Sequence, residues 1–292
     1  MRVFITGASG WIGSATTDEL LAHGHQVVAL ARSEESAAAL EAKGVEVLRG
    51  DLDDLDSLRA GAAAAEGVIH YANKHDFNDM ANSNRAERGA VQTFADALAG
   101  TDRPLIIASG VANPIGRPLT ERDESPHVGP DSMRGGAERL ALDYADKGVR
   151  SIAIRFAPTV HGVGDHGFVA YLAHVAREKG VSGYIGDGAN RWPAVHVTDA
   201  ARLTRLALES APAGSVLHGV AEEGVPTREI AEGLGRAAGV PVTSIAPEEA
   251  ASHFGWIAHF FGIDAPASNA LTRELLGWEP IGPSLADDLP HY

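Results

Sequence analysis

The 292-residue sequence has no cysteine, no long apolar run and no cluster of basic residues. Without cysteine there is no disulfide, no thiolate nucleophile and no cysteine-based metal site. That composition fits a reducing compartment, and the cytoplasm is the expected location. No apolar run is long enough to span a membrane, and no charged-then-apolar leader precedes the first predicted strand, so no membrane partner is expected. Lys and Arg number 24 against 39 Asp and Glu, a formal net charge of −15. Phosphate contacts need clustered basic side chains, so nucleic acid is not an expected partner. The acidic balance reads as solubility. The length suffices for one large α/β domain, or for such a domain with a small second lobe.

What is present starts at the N-terminus. Arg2-Val3-Phe4-Ile5 reads as a buried strand. Thr6-Gly7-Ala8-Ser9-Gly10-Trp11-Ile12-Gly13 follows as a turn, and an apolar-periodic helix runs from it to His23-Gly24. Gly7 permits the sharp turn and Gly10 lets the backbone approach a pyrophosphate. Gly13 lets the helix pack close to the sheet. The free N–H groups and the dipole of the first helical turn attract the phosphate charge. Ser9, Trp11 and Ile12 complete the predicted phosphate turn.

The glycines are three apart, where the usual dinucleotide fingerprint is G-x-G-x-x-G. This spacing, with Thr6 before it, resembles the short-chain dehydrogenase/reductase superfamily, in its extended, NAD-dependent epimerase/dehydratase-like branch. The resemblance implies a Rossmann-type α/β fold, a doubly wound parallel sheet with a small C-terminal substrate lobe. Residues 1–157, continued by about 194–220, would form the dinucleotide-binding domain. About 158–193 and 221–292 would form the lobe.

The second strand, Gln26 to Ala31, bears on cofactor choice. NAD-binding domains usually end this strand with an acid that accepts from the ribose hydroxyls. Ala31 stands there instead, followed by Arg32 and Ser33. A guanidinium and a hydroxyl suit a 2′-phosphate, so NADP(H) is expected over NAD(H). The plainer reading is a solvated arginine and an N-cap serine.

Further along, Asp51-Leu52 follows the third strand, where the resemblance implies an adenine contact; Asp51 also reads as a helix cap. The resemblance sets the cofactor against the end of the fourth strand, at Tyr71, Ala72 and Asn73. His75 lies just beyond, on the side where open α/β sheets bind ligands. His70, inside the strand, reads as core, and no metal-ligand spacing is present. Long helices are predicted over Asn82–Ala99 and from about 134 to 147, and relatives often dimerise through these two. At the end of the fifth strand the resemblance implies a serine, Ser109, that holds the substrate oxygen; it also reads as a strand-end turn serine.

The chain departs from the resemblance at the usual Tyr-x-x-x-Lys pair. With Glu138 as the glutamate that follows the lysine, Arg134 takes the lysine position and Pro130 the tyrosine position. Arg134 could still hold the cofactor as a fixed cation, but it cannot release a proton. Pro158 and Val160 fall in a segment that resembles the one this branch sets beside the nicotinamide, with His161 where tyrosine is common. Gly183–Asn190 reads as a loop. Phe168, Arg191 and Trp192 are the candidate substrate contacts, and Leu275-Leu276-Gly277-Trp278-Glu279-Pro280 matches a C-terminal signature of the branch. The expected activity is an NADP(H)-dependent oxidoreductase acting on a small carbonyl or alcohol. His75 and His161 are the candidate acids beside Ser109, and each also reads as a structural histidine. The rivals are an epimerase or dehydratase with transient cofactor redox, and a non-catalytic NADP-binding regulator.

Overall fold

The computed structural model describes residues 1–74, 76, 79–111 and 115–292. The first half alternates strand and helix: β1 (Arg2–Thr6), α1 (Trp11–Ala22), β2 (Gln26–Ala31), α2 (Glu34–Ala42), β3 (Glu46–Arg49), α3 (Leu55–Ala63), β4 (Gly67–His70), α4 (Met80–Leu98) and β5 (Pro104–Gly110). Then come α5 (Ala137–Leu142), β6 (Arg150–Phe156), β7 (Thr159–His161), α6 (Phe168–Lys179), β8 (Ser182–Ile185), β9 (Arg191–His196), α7 (Val197–Ser210) and β10 (Ser215–Gly219). The chain ends with β11 (Glu222–Pro226), α8 (Thr227–Ala238), β12 (Val242–Ile245), α9 (Ala250–Phe254), α10 (Ala258–Phe261), α11 (Ala270–Leu276) and α12 (Leu285–Asp288).

Seven strands form one parallel sheet, in the order β10-β6-β5-β4-β1-β2-β3. Alternate side chains of a strand leave opposite faces, so each strand feeds two cores. Val3 and Ile5 join one core with Leu20 of α1 and Leu203 of α7. Phe4 joins the other with Leu58 of α3 and Phe94 of α4. The chain runs from β1 outward to β3, then crosses back to β4 on the other side of β1. That reversal opens a crevice beyond the ends of β1 and β4, the place where such sheets bind ligands.

A second lobe has its own core, drawn from residues 169–292, with Leu172, Ile230, Phe254 and Phe261 buried in it. Its strands form two small sheets, β11-β9-β7 and β12-β8. The stretch 194–220 divides, because β9 pairs in a small sheet while β10 joins the large one. The Gly183–Asn190 segment read as loop begins inside β8, whose residues pair with β12. The C-terminal signature is a clasp. Trp278 is fully buried and its indole N–H donates to the Asp199 carbonyl at 3.1 Å. The Asp199 carboxylate accepts from the Ile281 and Gly282 amides at 3.0 and 2.7 Å. His196 caps α7, accepting from the Thr198 amide.

The expected long helix over 134–147 is the main departure. Residues 133–136 form a tight turn in which Arg134, Gly135 and Gly136 are all left-handed, and α5 spans only six residues. The turn is pressed against α4: a Cβ on Gly135 would lie 2.5 Å from the Asn84 carbonyl oxygen. The Asn84 side chain accepts from the Arg134 amide at 2.9 Å, and Arg88 donates to the Gly135 carbonyl at 2.7 Å. These tertiary bonds outweigh the local tendency to continue the helix. No helix among the described residues is long and apolar enough to cross a membrane.

Candidate active site

The turn between β1 and α1 has two tight glycines and one open one. Gly7 is left-handed, and a Cβ on it would lie 2.6 Å from the Ala72 nitrogen. A Cβ on Gly13 would lie 1.9 Å from the Gly7 carbonyl oxygen. The turn is thus wedged between the end of β4 and its own helix. Gly10 is exposed, and a Cβ there would meet only the Gly7 oxygen, at 3.3 Å. No side chain caps α1. An open glycine at an uncapped helix start is a cradle that fits a pyrophosphate. Ser9 is exposed here, and Trp11 donates its indole N–H to the Val160 carbonyl at 2.7 Å, tying the turn to the segment of Pro158 and Val160. Ile12 packs inward on the core.

The end of β2 provides the adenosine side. Ala31 is buried, and Arg32 and Ser33 are exposed. The Ser33 hydroxyl accepts from the Ser36 amide and caps α2. The Arg32 guanidinium has no hydrogen-bond or ion-pair partner among the described residues. Arg49, which no sequence signal singled out, braces this edge by donating to the Arg32 and Ser33 carbonyls at 3.2 Å each. Asp51 turns its carboxylate into its own loop, accepting from the Asp53 and Asp54 amides at 2.8 and 3.2 Å, and Leu52 is buried.

Beyond β4 lies a buried polar network. The Thr6 hydroxyl and His70 Nδ1 are 2.7 Å apart. Asn73 donates to Glu87 at 2.9 Å, and Arg134 donates to the same carboxylate at 2.7 Å. Glu87, fully enclosed on α4, is another residue that the sequence did not mark. Burial pushes its carboxyl upward, but Arg134 and then His70, with the hydrogen bonds from Asn73 and Arg134, hold it below the ordinary carboxylate range. Burial pushes the His70 imidazole down. The network fixes Arg134 as a cation whose side chain is 30% exposed.

Arg134 reaches the edge of a cavity of about 170 Å³ at the end of β5. Ser109, Val111, Leu119, Ser125, His127 and Met133 line it, with the buried pair Glu138 and Arg155. Its outer wall is well held. The buried Glu121 carboxylate accepts from the Thr272 amide and hydroxyl at 2.7 Å each. Leu119 donates to the Pro266 carbonyl at 2.8 Å. Asp123 accepts from the Thr120 amide and hydroxyl, and its own carbonyl accepts from Arg155 at 2.8 Å. Ser109 Oγ has no partner among the described residues.

Other candidates fall elsewhere. His75 lies outside the described residues. His161 is withdrawn as a proton donor: it is 0% exposed, and its Nδ1 lies 2.6 Å from the Asp288 carboxylate. Trp192 is withdrawn as a substrate contact, being 2% exposed in the core of the second lobe and donating to the Phe260 carbonyl. Arg191 is held by Asp264 at 2.9–3.0 Å. Phe168 is half-buried and lies among the rings of Trp192, Trp256 and Phe260.

None of the five tyrosines lines the cavity. Tyr71 bonds Thr204 and packs edge-on to Phe156, so its phenol is committed within the fold. Tyr144 is bound to Asp96 and Gln92, Tyr171 to the Phe254 carbonyl, and Tyr292 to Asp165. Tyr184 is covered by Arg228.

A sequence profile described as the NAD dependent epimerase/dehydratase family matches residues 3–218. An uncharacterised protein of Schizosaccharomyces pombe is 47% identical over 291 residues, 99% of this chain and 98% of its own. A 2-alkyl-3-oxoalkanoate reductase of Stenotrophomonas maltophilia is 29% identical over 262 residues, 82% of this chain and 77% of its own. The solved structure of a dTDP-glucose 4,6-dehydratase from Streptomyces venezuelae with NAD bound superposes with a TM-score of 0.78 at 21% identity, covering 99% of this chain and 95% of that one. The match over most of the chain, on a sheet and turn built to take a dinucleotide, makes this protein a member of the NAD-dependent epimerase/dehydratase family, an oxidoreductase-type enzyme of the nicotinamide cofactors.

Proposed function

We propose that the protein is an NADP(H)-dependent reductase of a small carbonyl compound, which also oxidises the corresponding alcohol. The observation that carries this is the free Ser109 hydroxyl in a cavity at the end of β5, facing the crevice side of the sheet. Reduced nicotinamide, when bound, supplies a hydride. Gly10 and the start of α1 hold the pyrophosphate, and Ser109 donates a hydrogen bond to the substrate oxygen. Arg134 stabilises negative charge at the cavity edge and, being paired with Glu87, stays fixed. The cavity volume suits a small substrate, and the reductase similar to this chain supports the carbonyl class.

The test is a panel of small aldehydes and ketones, followed by NADPH absorbance. Net loss of NADPH is expected. Product formation without any change in NADPH would mean an epimerase or dehydratase. Tight cofactor binding with no turnover anywhere on the panel would mean a binding protein. Tyr144→Phe serves as a control and should leave turnover unchanged, since its phenol is committed to Asp96 and Gln92.

Arg32 carries the preference for NADPH over NADH. Its unpartnered guanidinium beside Ser33 can hold a 2′-phosphate, a charge-assisted contact worth about 1.5–3 kcal/mol. Arg32→Ala should therefore weaken NADPH binding roughly 10- to 100-fold and leave NADH binding nearly unchanged. Titration of each cofactor by fluorescence checks this. Equal losses for both would remove Arg32 from the 2′-phosphate site.

A further inference from the structure

When a carbonyl is reduced, its oxygen gains an electron pair and needs one proton. No tyrosine reaches the Ser109 cavity, and Arg134 on its wall cannot release a proton. Among the described residues, the histidine that lines it is His127. We propose that His127 is the general acid of this site, delivering its proton to the substrate oxygen held by Ser109; the assignment rests on the carbonyl-reductase reading above.

Three observations carry it. The ring nitrogens of His127 have no hydrogen-bond or ion-pair partner among the described residues, as Ser109 Oγ has none. His161 and His70, by contrast, are enclosed and each is bonded through Nδ1. The wall that carries His127 is preset: Glu121 is fixed to Thr272 and the Asp123 carbonyl to Arg155. A proton donor on a held loop loses little entropy in reaching its target. Finally, His127 is half-buried, so solvent can return its proton after each turnover.

The charged groups that share this wall are Glu124, Arg134, Glu138 and Arg155. Glu138 neutralises Arg155, Glu87 neutralises Arg134, and Glu124 is exposed. His127 is the cavity-lining group whose side-chain type exchanges a proton near neutral pH. The atoms balance. The carbonyl carbon takes a hydride, with its two electrons, from the reduced dinucleotide. The C–O π pair moves to oxygen, an N–H bond of the imidazolium breaks, and an O–H bond forms. The ring is left neutral.

The experiment compares wild type, His127→Gln and His75→Gln. In the wild type, the reduction rate should fall as pH rises, because the acid must carry its proton. His127→Gln should lower kcat by about 10²-fold, flatten that limb, and recover in part when imidazole is added. Its NADPH affinity and melting temperature should match the wild type. Ring-proton NMR gives a readout apart from turnover. The His127 resonance, identified by its loss in His127→Gln, should shift when NADPH alone is added, as it would if this cavity takes the reactive end of the cofactor.

An unmoved resonance overturns the assignment, whatever the turnover. So does full activity in His127→Gln, or loss of the pH-dependent limb in His75→Gln instead. A wild type that reduces no carbonyl refutes the reductase reading itself, and with it the acid role. A carbonyl reductase untouched by His127→Gln refutes only His127.

Discussion

Gly10→Val is expected to abolish dinucleotide binding in a protein that still folds. The Gly10 backbone is extended (φ −79°, ψ 173°), a conformation open to any residue. A Cβ there would meet only the Gly7 carbonyl oxygen, at 3.3 Å, so the neighbour need yield by a few tenths of an ångström. Valine is a poor N-cap, which costs about 1 kcal/mol. Its methyl groups would fill the space that a pyrophosphate needs beside the α1 amides. Gly13→Val is the contrasting case. Its Cβ would stand 1.9 Å from the Gly7 carbonyl oxygen, a backbone atom that cannot turn aside. That variant should lose cofactor binding and thermal stability together. Calorimetric titration with NADPH, beside a thermal melt of each variant, separates the two outcomes. A Gly10→Val protein that binds NADPH like the wild type would make the turn structural only.

The features legible in the sequence are those set by local chemistry. Strands β1 and β2 occupy the residues that their apolar runs predict, from Arg2 and over Gln26–Ala31. The parallel sheet follows from alternating apolar strands and helices, and the glycine spacing gives the turn between β1 and α1. Each of these patterns spans a few residues and needs no distant partner.

What escaped depends on contacts between distant residues. His161 lies at a strand end, as ligand-facing residues do, but Asp288, 127 residues later, closes over it. Trp192 precedes a family element, yet its ring belongs to a core completed by Phe261. The broken helix at 134–136 had a local signal in Gly135-Gly136. Its cause, however, is the packing of that turn on Asn84 and Arg88. His127 sits in a Pro- and Gly-rich loop with no periodicity. Anchors distant in sequence, Glu121 on Thr272, 151 residues away, and the Asp123 carbonyl on Arg155, put that loop over the end of β5. A buried glutamate inside an otherwise polar loop cannot be told from an exposed one without the fold.

Glu138→Ala should be strongly destabilising. Glu138 and Arg155 are 6% and 5% exposed. The guanidinium Nε lies 3.1 and 3.2 Å from the two carboxylate oxygens, and a terminal nitrogen lies 2.5 Å from one of them. Glu138 also stands in the first turn of α5, where a negative charge suits the helix dipole. Deleting the carboxylate leaves a guanidinium buried beside the cavity without its counter-charge, which costs about 3–5 kcal/mol. For a chain of this size the melting temperature should fall on the order of 10 °C. The remaining donor from Arg155 holds the Asp123 carbonyl, so a displaced arginine should also loosen the wall that carries His127. Turnover should then fall further than the loss of folded protein explains. Replacing both partners with apolar residues, as Glu138→Leu with Arg155→Met, should recover much of the lost stability, because no unpaired charge remains. It should not recover turnover, since the Asp123 carbonyl still lacks its donor. Thermal melts and rates on the two variants decide the matter. A Glu138→Ala protein that melts with the wild type would show that Arg155 is not enclosed with its partner in solution. A double variant as unstable as Glu138→Ala would assign the cost to lost packing rather than to the unpaired charge.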